Sequence, residues 1–77
     1  MPRITDIHSI KETLNVEEWD VETNKGPRTF QVRHARQNVR RLGPRRFAIK
    51  DVDGNRYSVR DWINLPPQAQ KLFDPYL

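Results

Sequence analysis

The chain has 77 residues, no cysteine and a net charge of +4, with ten Arg and four Lys against six Asp and four Glu. That length permits one small domain, residues 1–77, with a thin core, and the lack of cysteine excludes a disulfide staple, a thiolate nucleophile and a Cys-based zinc site. No apolar stretch approaches the roughly 20 residues of a membrane span, and no signal-peptide core follows Met1-Pro2-Arg3, so the expectation is a cytoplasmic chain without membrane insertion.

Ile4, Ile7 and Ile10 recur every third residue, while Ile10, Glu12 and Leu14 alternate with Lys11 and Thr13. β-branched residues without a helix cap favour a strand over 4–14, bent in its first half. From 16 to 23 the alternation is cleaner: Trp19, Val21 and Thr23 point to one face, and Glu18, Asp20 and Glu22 form an acidic outer face. Asn24-Lys25-Gly26-Pro27 reads as a turn, followed by a strand over 28–35 with Phe30, Val32 and His34 inward. Pairing Thr23 with Arg28 sets Val21 beside Phe30, Trp19 beside Val32 and Glu18 opposite Arg33.

Val39 and Leu42, three apart before Gly43-Pro44, predict a helical turn over 36–42. A strand over 46–51 turns at Val52-Asp53-Gly54 through a type I turn with a bulge, and a strand over 56–61 returns. Ile49 then faces Tyr57 and Phe47 faces Val59. Proline in a first turn, with Ala69, Leu72, Phe73 and Tyr76 on one face, predicts a helix over 67–74 that stops at Asp74-Pro75. The expected fold is therefore mainly β: a small curled antiparallel meander or partly open barrel of about five strands with a short C-terminal helix. Its core is Ile7, Ile10, Trp19, Val21, Phe30, Val32, Phe47, Ile49, Tyr57, Val59, Leu72 and Phe73.

The run from Trp19 to Phe30, then Val39-Arg40-Arg41-Leu42-Gly43, Asp51-Val52-Asp53-Gly54-Asn55-Arg56-Tyr57 and the closing Leu72-Phe73-Asp74-Pro75-Tyr76-Leu77 are similar to a known family. Nearly the whole chain resembles the C-terminal portion of the domain of unknown function family 1854. The resemblance implies a setting in bacterial cyanophycin metabolism, as a stand-alone protein or beside ABC-transporter-like chains. It implies no catalytic residues and no cofactor.

The residues themselves carry little chemistry. His8 and His34 lie on different strands without ligand spacing, and His34 reads as an edge-of-core histidine. Asp51, Asp53 and Asn55 alternate as a calcium loop begins, yet the sixth-position glycine and the distant glutamate are missing, so turn chemistry accounts for them. The three glycines are isolated, Ser9 and Ser58 are strand residues, and Glu17 and Glu18 fall on opposite faces of one strand. No enzyme activity, metal or cofactor is expected.

The basic residues are the candidate site. Arg36, Arg40, Arg41, Arg45 and Arg46 surround a tight turn, and the outward positions of the second hairpin add Lys50, Arg56 and Arg60. Lys50 opposite Arg56 and Arg46 opposite Arg60 set like charges against each other, an arrangement that weakens a sheet unless something external compensates. Arginines bind phosphates or carboxylates bidentately, but base recognition on a small β scaffold also uses exposed aromatic rings, and here the rings are assigned inward. The expected function is a non-enzymatic protein-interaction or accessory module, with a protein partner or a homodimer as its complement. A nucleic-acid-binding or polyanion-binding domain is the alternative.

Overall fold

A computed structural model describes all residues from Met1 to Leu77. Six strands form two antiparallel three-stranded sheets: β1 (Ile4–Thr13), β2 (Val16–Thr23) and β3 (Gly26–Arg33), then β4 (Val39–Arg41), β5 (Phe47–Lys50) and β6 (Arg56–Val59). Helix α1 (Ala35–Asn38) connects the sheets, and α2 (Pro67–Phe73) follows a 3-10 turn at Trp62–Asn64. The fold is mainly β with a short C-terminal helix, as the sequence predicts, but it is two sheets and not a closed barrel. No helix is long and apolar enough to cross a membrane.

β1 reconciles the threefold spacing of its isoleucines with a strand. Ile4 pairs with Thr23, Ile7 with Val21 and Ile10 with Trp19, and register shifts absorb one extra residue in each interval. A bulge advances the chain by one residue on one strand only, so a period of three keeps a single face. Leu14 and Asn15, both at positive φ, make the tight turn into β2, which leaves Leu14 out of the strand and exposed.

The first hairpin differs from the expected register by two residues: Thr23 pairs with Gly26, Trp19 with Phe30 and Glu18 with Gln31, while Arg33 pairs with Val16. Gly26, at φ +103°, belongs to the strand and not to the turn. A slip of two residues preserves which face each side chain occupies, so the inward set survives the error.

His34 is not a core residue. It is exposed, at φ 53° and ψ 60°, and it ends the alternation of β3 by turning the chain into α1. The predicted helical turn over 36–42 is likewise corrected. Helix ends at Asn38, and Val39, Arg40 and Arg41 form β4, paired with Ile49, Ala48 and Phe47. Val39 is buried, and a strand both buries it and completes the ladder of β5, which one exposed helical turn does not offer.

The second hairpin has the expected register, with Phe47 opposite Val59, Ile49 opposite Tyr57 and Lys50 opposite Arg56. Gly54 takes the positive φ its turn requires, 83°. At the C-terminus, Asp74 keeps helical geometry before Pro75, and a 3-10 turn over Asp74–Tyr76 continues where a stop was expected.

The sheets meet face to face. Tyr57 of β6 stacks on Phe30 of β3 at 4.0 Å between ring centroids, Phe30 stacks on Trp19, and Phe73 of α2 sets its edge against both Trp19 and Phe47. Ten of the twelve predicted core residues are buried, and Ile10 and Leu72 are half-buried against the rest; Ile4, Val39, Leu65 and Ala69 complete the core. Each fully buried large side chain contributes about 1.5–3 kcal/mol, so this one shared cluster supplies most of the driving force. Two backbone seams join the layers: Ser58 N–H donates to Pro2, beside a parallel bridge from Arg3 to Ser58, and Val52 N–H donates to Gln31.

Candidate functional site

Alternation decides where the basic residues go. Val39, Phe47, Ile49, Tyr57 and Val59 are buried, so Arg40, Ala48, Lys50, Arg56 and Ser58 stand on the opposite, outward face of the second sheet. Arg40 lies beside Ala48 and Ala48 beside Ser58, a row with small side chains at its centre, and the next row sets Lys50 against Arg56. Paired residues of this kind hold their Cβ atoms about 4.5–5.5 Å apart. Strands β4 to β6 contain four Arg or Lys residues and no acid.

These side chains line a shallow groove of about 420 Å³ formed by Met1, Gln37, Asn38, Arg40, Leu42, Ala48, Ile49, Lys50 and Arg56. Arg40, Lys50 and Arg56 are its cations. The chain makes one Arg or Lys ion pair within 4.0 Å, Arg45 with Asp61, and none of the groove cations takes part in it.

The other predicted site residues are placed elsewhere. Arg45 donates from Nε and Nη2 to both carboxylate oxygens of Asp61, at 2.8 and 2.7 Å, and braces the turn at Trp62. That hydrogen bond holds the Asp61 carboxyl below its ordinary value. Arg41 faces the core side: its guanidinium lies over the Phe47 ring, 5.6 Å from the centroid, and donates to the carbonyls of Gly43 and Pro44. Arg36 borders a different cleft with Glu12, Glu17, His34 and Tyr76. Arg60 lines a third recess with Arg3 and Asp61, and Arg46, exposed just before β5, gives its carbonyl to Leu42 N–H. The cluster contiguous in sequence is thus divided, because Val39–Arg41 is a strand and its alternation sends the adjacent Arg40 and Arg41 to opposite sides of the sheet. Sequence reasoning placed Ala48 on this outward face among the cations but missed Leu42 and Met1 as groove residues.

Two polar knots belong to the scaffold. Asp51 is buried and accepts from the backbone N–H of Asp53 and Asn55, from Asn55 Nδ2 and from the Tyr57 hydroxyl at 3.0 Å. Its oxygens are used up by its own loop, which is the turn role expected for this segment. Burial, with the hydrogen bond to Asp51 second, pushes the Tyr57 phenol up to about 12. In the first sheet Glu17 Oε1 accepts from the Trp19 indole and from the Tyr76 hydroxyl, and burial followed by that bond raises the Tyr76 phenol. No group of three or more His, Asp or Glu side chains is placed to hold a metal ion. Trp62 packs half-buried against the core, so no aromatic ring lines the basic groove.

The fold and site define a small two-layer β domain with one sheet face that is basic and free of acids. The family model described as "Domain of unknown function (DUF1854)" matches residues 1–76, essentially the whole chain and not a C-terminal portion of it, and the chain belongs to that family. No curated protein and no solved structure matches it.

Proposed function

We propose that the chain is a non-enzymatic interaction or accessory module whose second sheet receives an acidic surface of a protein partner. One observation carries this reading: Lys50 lies directly opposite Arg56 with Arg40 in the adjoining row, and no carboxylate of the chain pairs with any of them. Like charges at facing positions work against the sheet by roughly 0.2–1 kcal/mol, and an acidic complement reverses the sign of that term. The complement belongs to another protein or to a second copy, whose β1 to β3 carry six acids. The cyanophycin-related or transporter-associated setting rests on the family resemblance alone.

Replacing Arg40, Lys50 and Arg56 together by Ala tests the reading. Thermal unfolding is expected to change little, since exposed charges contribute about 0–1 kcal/mol each, while salt-sensitive binding of polyglutamate is lost. Wild-type protein that binds no acidic polymer at low salt defeats it. Tighter binding of DNA or RNA than of polyglutamate at matched salt favours the nucleic-acid alternative instead.

A further inference from the structure

The groove is not lined by cations alone. Leu42 is 58% exposed and Met1 65% exposed, and both border the same recess as half-buried Ala48 and the cations Arg40, Lys50 and Arg56. Leu42 owes its position to an inverted pattern. Val39 points inward and Arg40 outward, as a half-buried strand requires; the next two residues reverse the rule, Arg41 lying over the Phe47 ring and Leu42 continuing the outward line of Arg40. Its N–H donates to Arg46 at 2.8 Å, so the backbone is held in that line. Position 41 is itself exposed but lies on the core-side face beside Phe47, so exchanging the two side chains would set the leucine against that ring and the guanidinium among the other cations, which is the usual arrangement. Local violations of such rules concentrate at functional sites.

Resting on the reading above that this face receives an acidic surface, we infer that its occupant is an acidic polypeptide segment carrying an apolar side chain between carboxylates. The carboxylates meet Arg40, Lys50 and Arg56, and the apolar side chain enters between Leu42 and Met1 over Ala48. Charge complementarity selects the acid. The aliphatic walls select a peptide side chain over a nucleobase, because bases on such surfaces stack on aromatic rings and the groove has none. A volume of about 420 Å³ lies within the usual range of ligand-sized clefts, about 300–1,000 Å³.

Fluorescence anisotropy with the full chain separates the possibilities, using a labelled Asp/Glu peptide with a central leucine, the same peptide with serine at that position, and a single-stranded oligonucleotide. The leucine peptide is expected to bind about tenfold or more tighter than the serine peptide, the ratio that burial of one large aliphatic side chain supplies. In Leu42→Ser the ratio falls towards unity while salt-sensitive binding of both peptides persists, and in Lys50→Glu/Arg56→Glu both peptides are lost. Leu42→Ala, which keeps a small apolar contact, is expected to fall between wild type and Leu42→Ser. Equal binding of the two peptides by wild-type protein overturns this inference and leaves the acidic-partner reading standing, whereas no binding of either peptide overturns both. An oligonucleotide bound tighter than the leucine peptide also overturns it.

Discussion

The two sheets share a core and treat their outer charges in opposite ways. In the first, Lys11 pairs across from Glu18, and the facing acids Asp6 and Glu22 both lie beside the His8 ring, at 3.9 and 3.4 Å. Glu17, opposite Glu12, is engaged by the Trp19 and Tyr76 donors. In the second, Lys50 and Arg56 face each other with no acid on any strand of the sheet. The difference teaches that charge count alone is a poor guide to an interaction surface. A patch becomes informative where the local register makes charge unfavourable and the rest of the chain does nothing to relieve it.

The sharpest way to break the comparison is to ask whether the sheets are separable at all. Trp19→Ala in the first and Phe47→Ala in the second each remove a fully buried ring, at about 3–5 kcal/mol, which equals the stability available to a domain of this size. Both variants are expected to lose the whole fold in denaturant titrations. Survival of one sheet's amide protection after loss of the other would show two independent layers.

Next in size is Asp51→Ala, which leaves two backbone N–H groups, the Asn55 amide and the Tyr57 hydroxyl short of an acceptor. A loss of about 2–3 kcal/mol in chemical denaturation is expected. Glu22→Ala in the first sheet touches only half-exposed partners and should shift the same midpoint far less.

The titration of Tyr57 sharpens the contrast through pH. Its folded-state value of about 12 stands above the ordinary 10.0, so the contribution of the neutral phenol is fully present below pH 10 and is lost as pH rises towards 12. Phenolate absorbance should show delayed ionisation of Tyr57, and Tyr57→Phe should flatten that part of the alkaline stability profile. Asp61 runs the other way: its lowered value means a contribution present above the ordinary 3.8 and lost as pH falls through the folded-state value, and Arg45→Ala should bring its carboxyl resonance back towards 3.8.

The smallest expected effects carry the most information about function. Arg56→Glu places an acid opposite Lys50 and should stabilise the fold by about 0.2–1 kcal/mol while abolishing acidic-peptide binding. Glu18→Lys, opposite Lys11, should destabilise by a similar amount and leave that binding intact. Equal effects of the two changes on binding would remove the distinction between the sheets.

Much of this was legible because the relevant signals are local. Trp19, Val21, Phe30 and Val32 alternate, and Gly54 between Asp53 and Asn55 marks a turn, so faces and the second register followed from spacing. The first register did not, because Gly26 reads as turn punctuation while its positive φ sits at a paired position. β4 was hidden for a different reason. Val39 and Leu42 at a spacing of three are equally compatible with a helical turn, and what makes Val39–Arg41 a strand is the unpaired side of β5, a partner about ten residues away in sequence. The site inherited that uncertainty: the direction of Arg40, Arg41 and Leu42 depends on the kink at His34 and on α1, which no periodicity announces.

Phe73 has a consequence for how the chain folds. It is fully buried between Trp19 and Phe47, the one ring that touches a large aromatic side chain from each sheet edge-on. Because α2 is the last α-helix of the chain, there is an interval in folding before it docks in which Phe30 and Tyr57 can already stack across the sheets but the ring that covers both Trp19 and Phe47 is missing. During it, Trp19 and Phe47 present uncovered surface beside open strand edges, the condition under which part-folded β-rich chains recruit holding chaperones or one another.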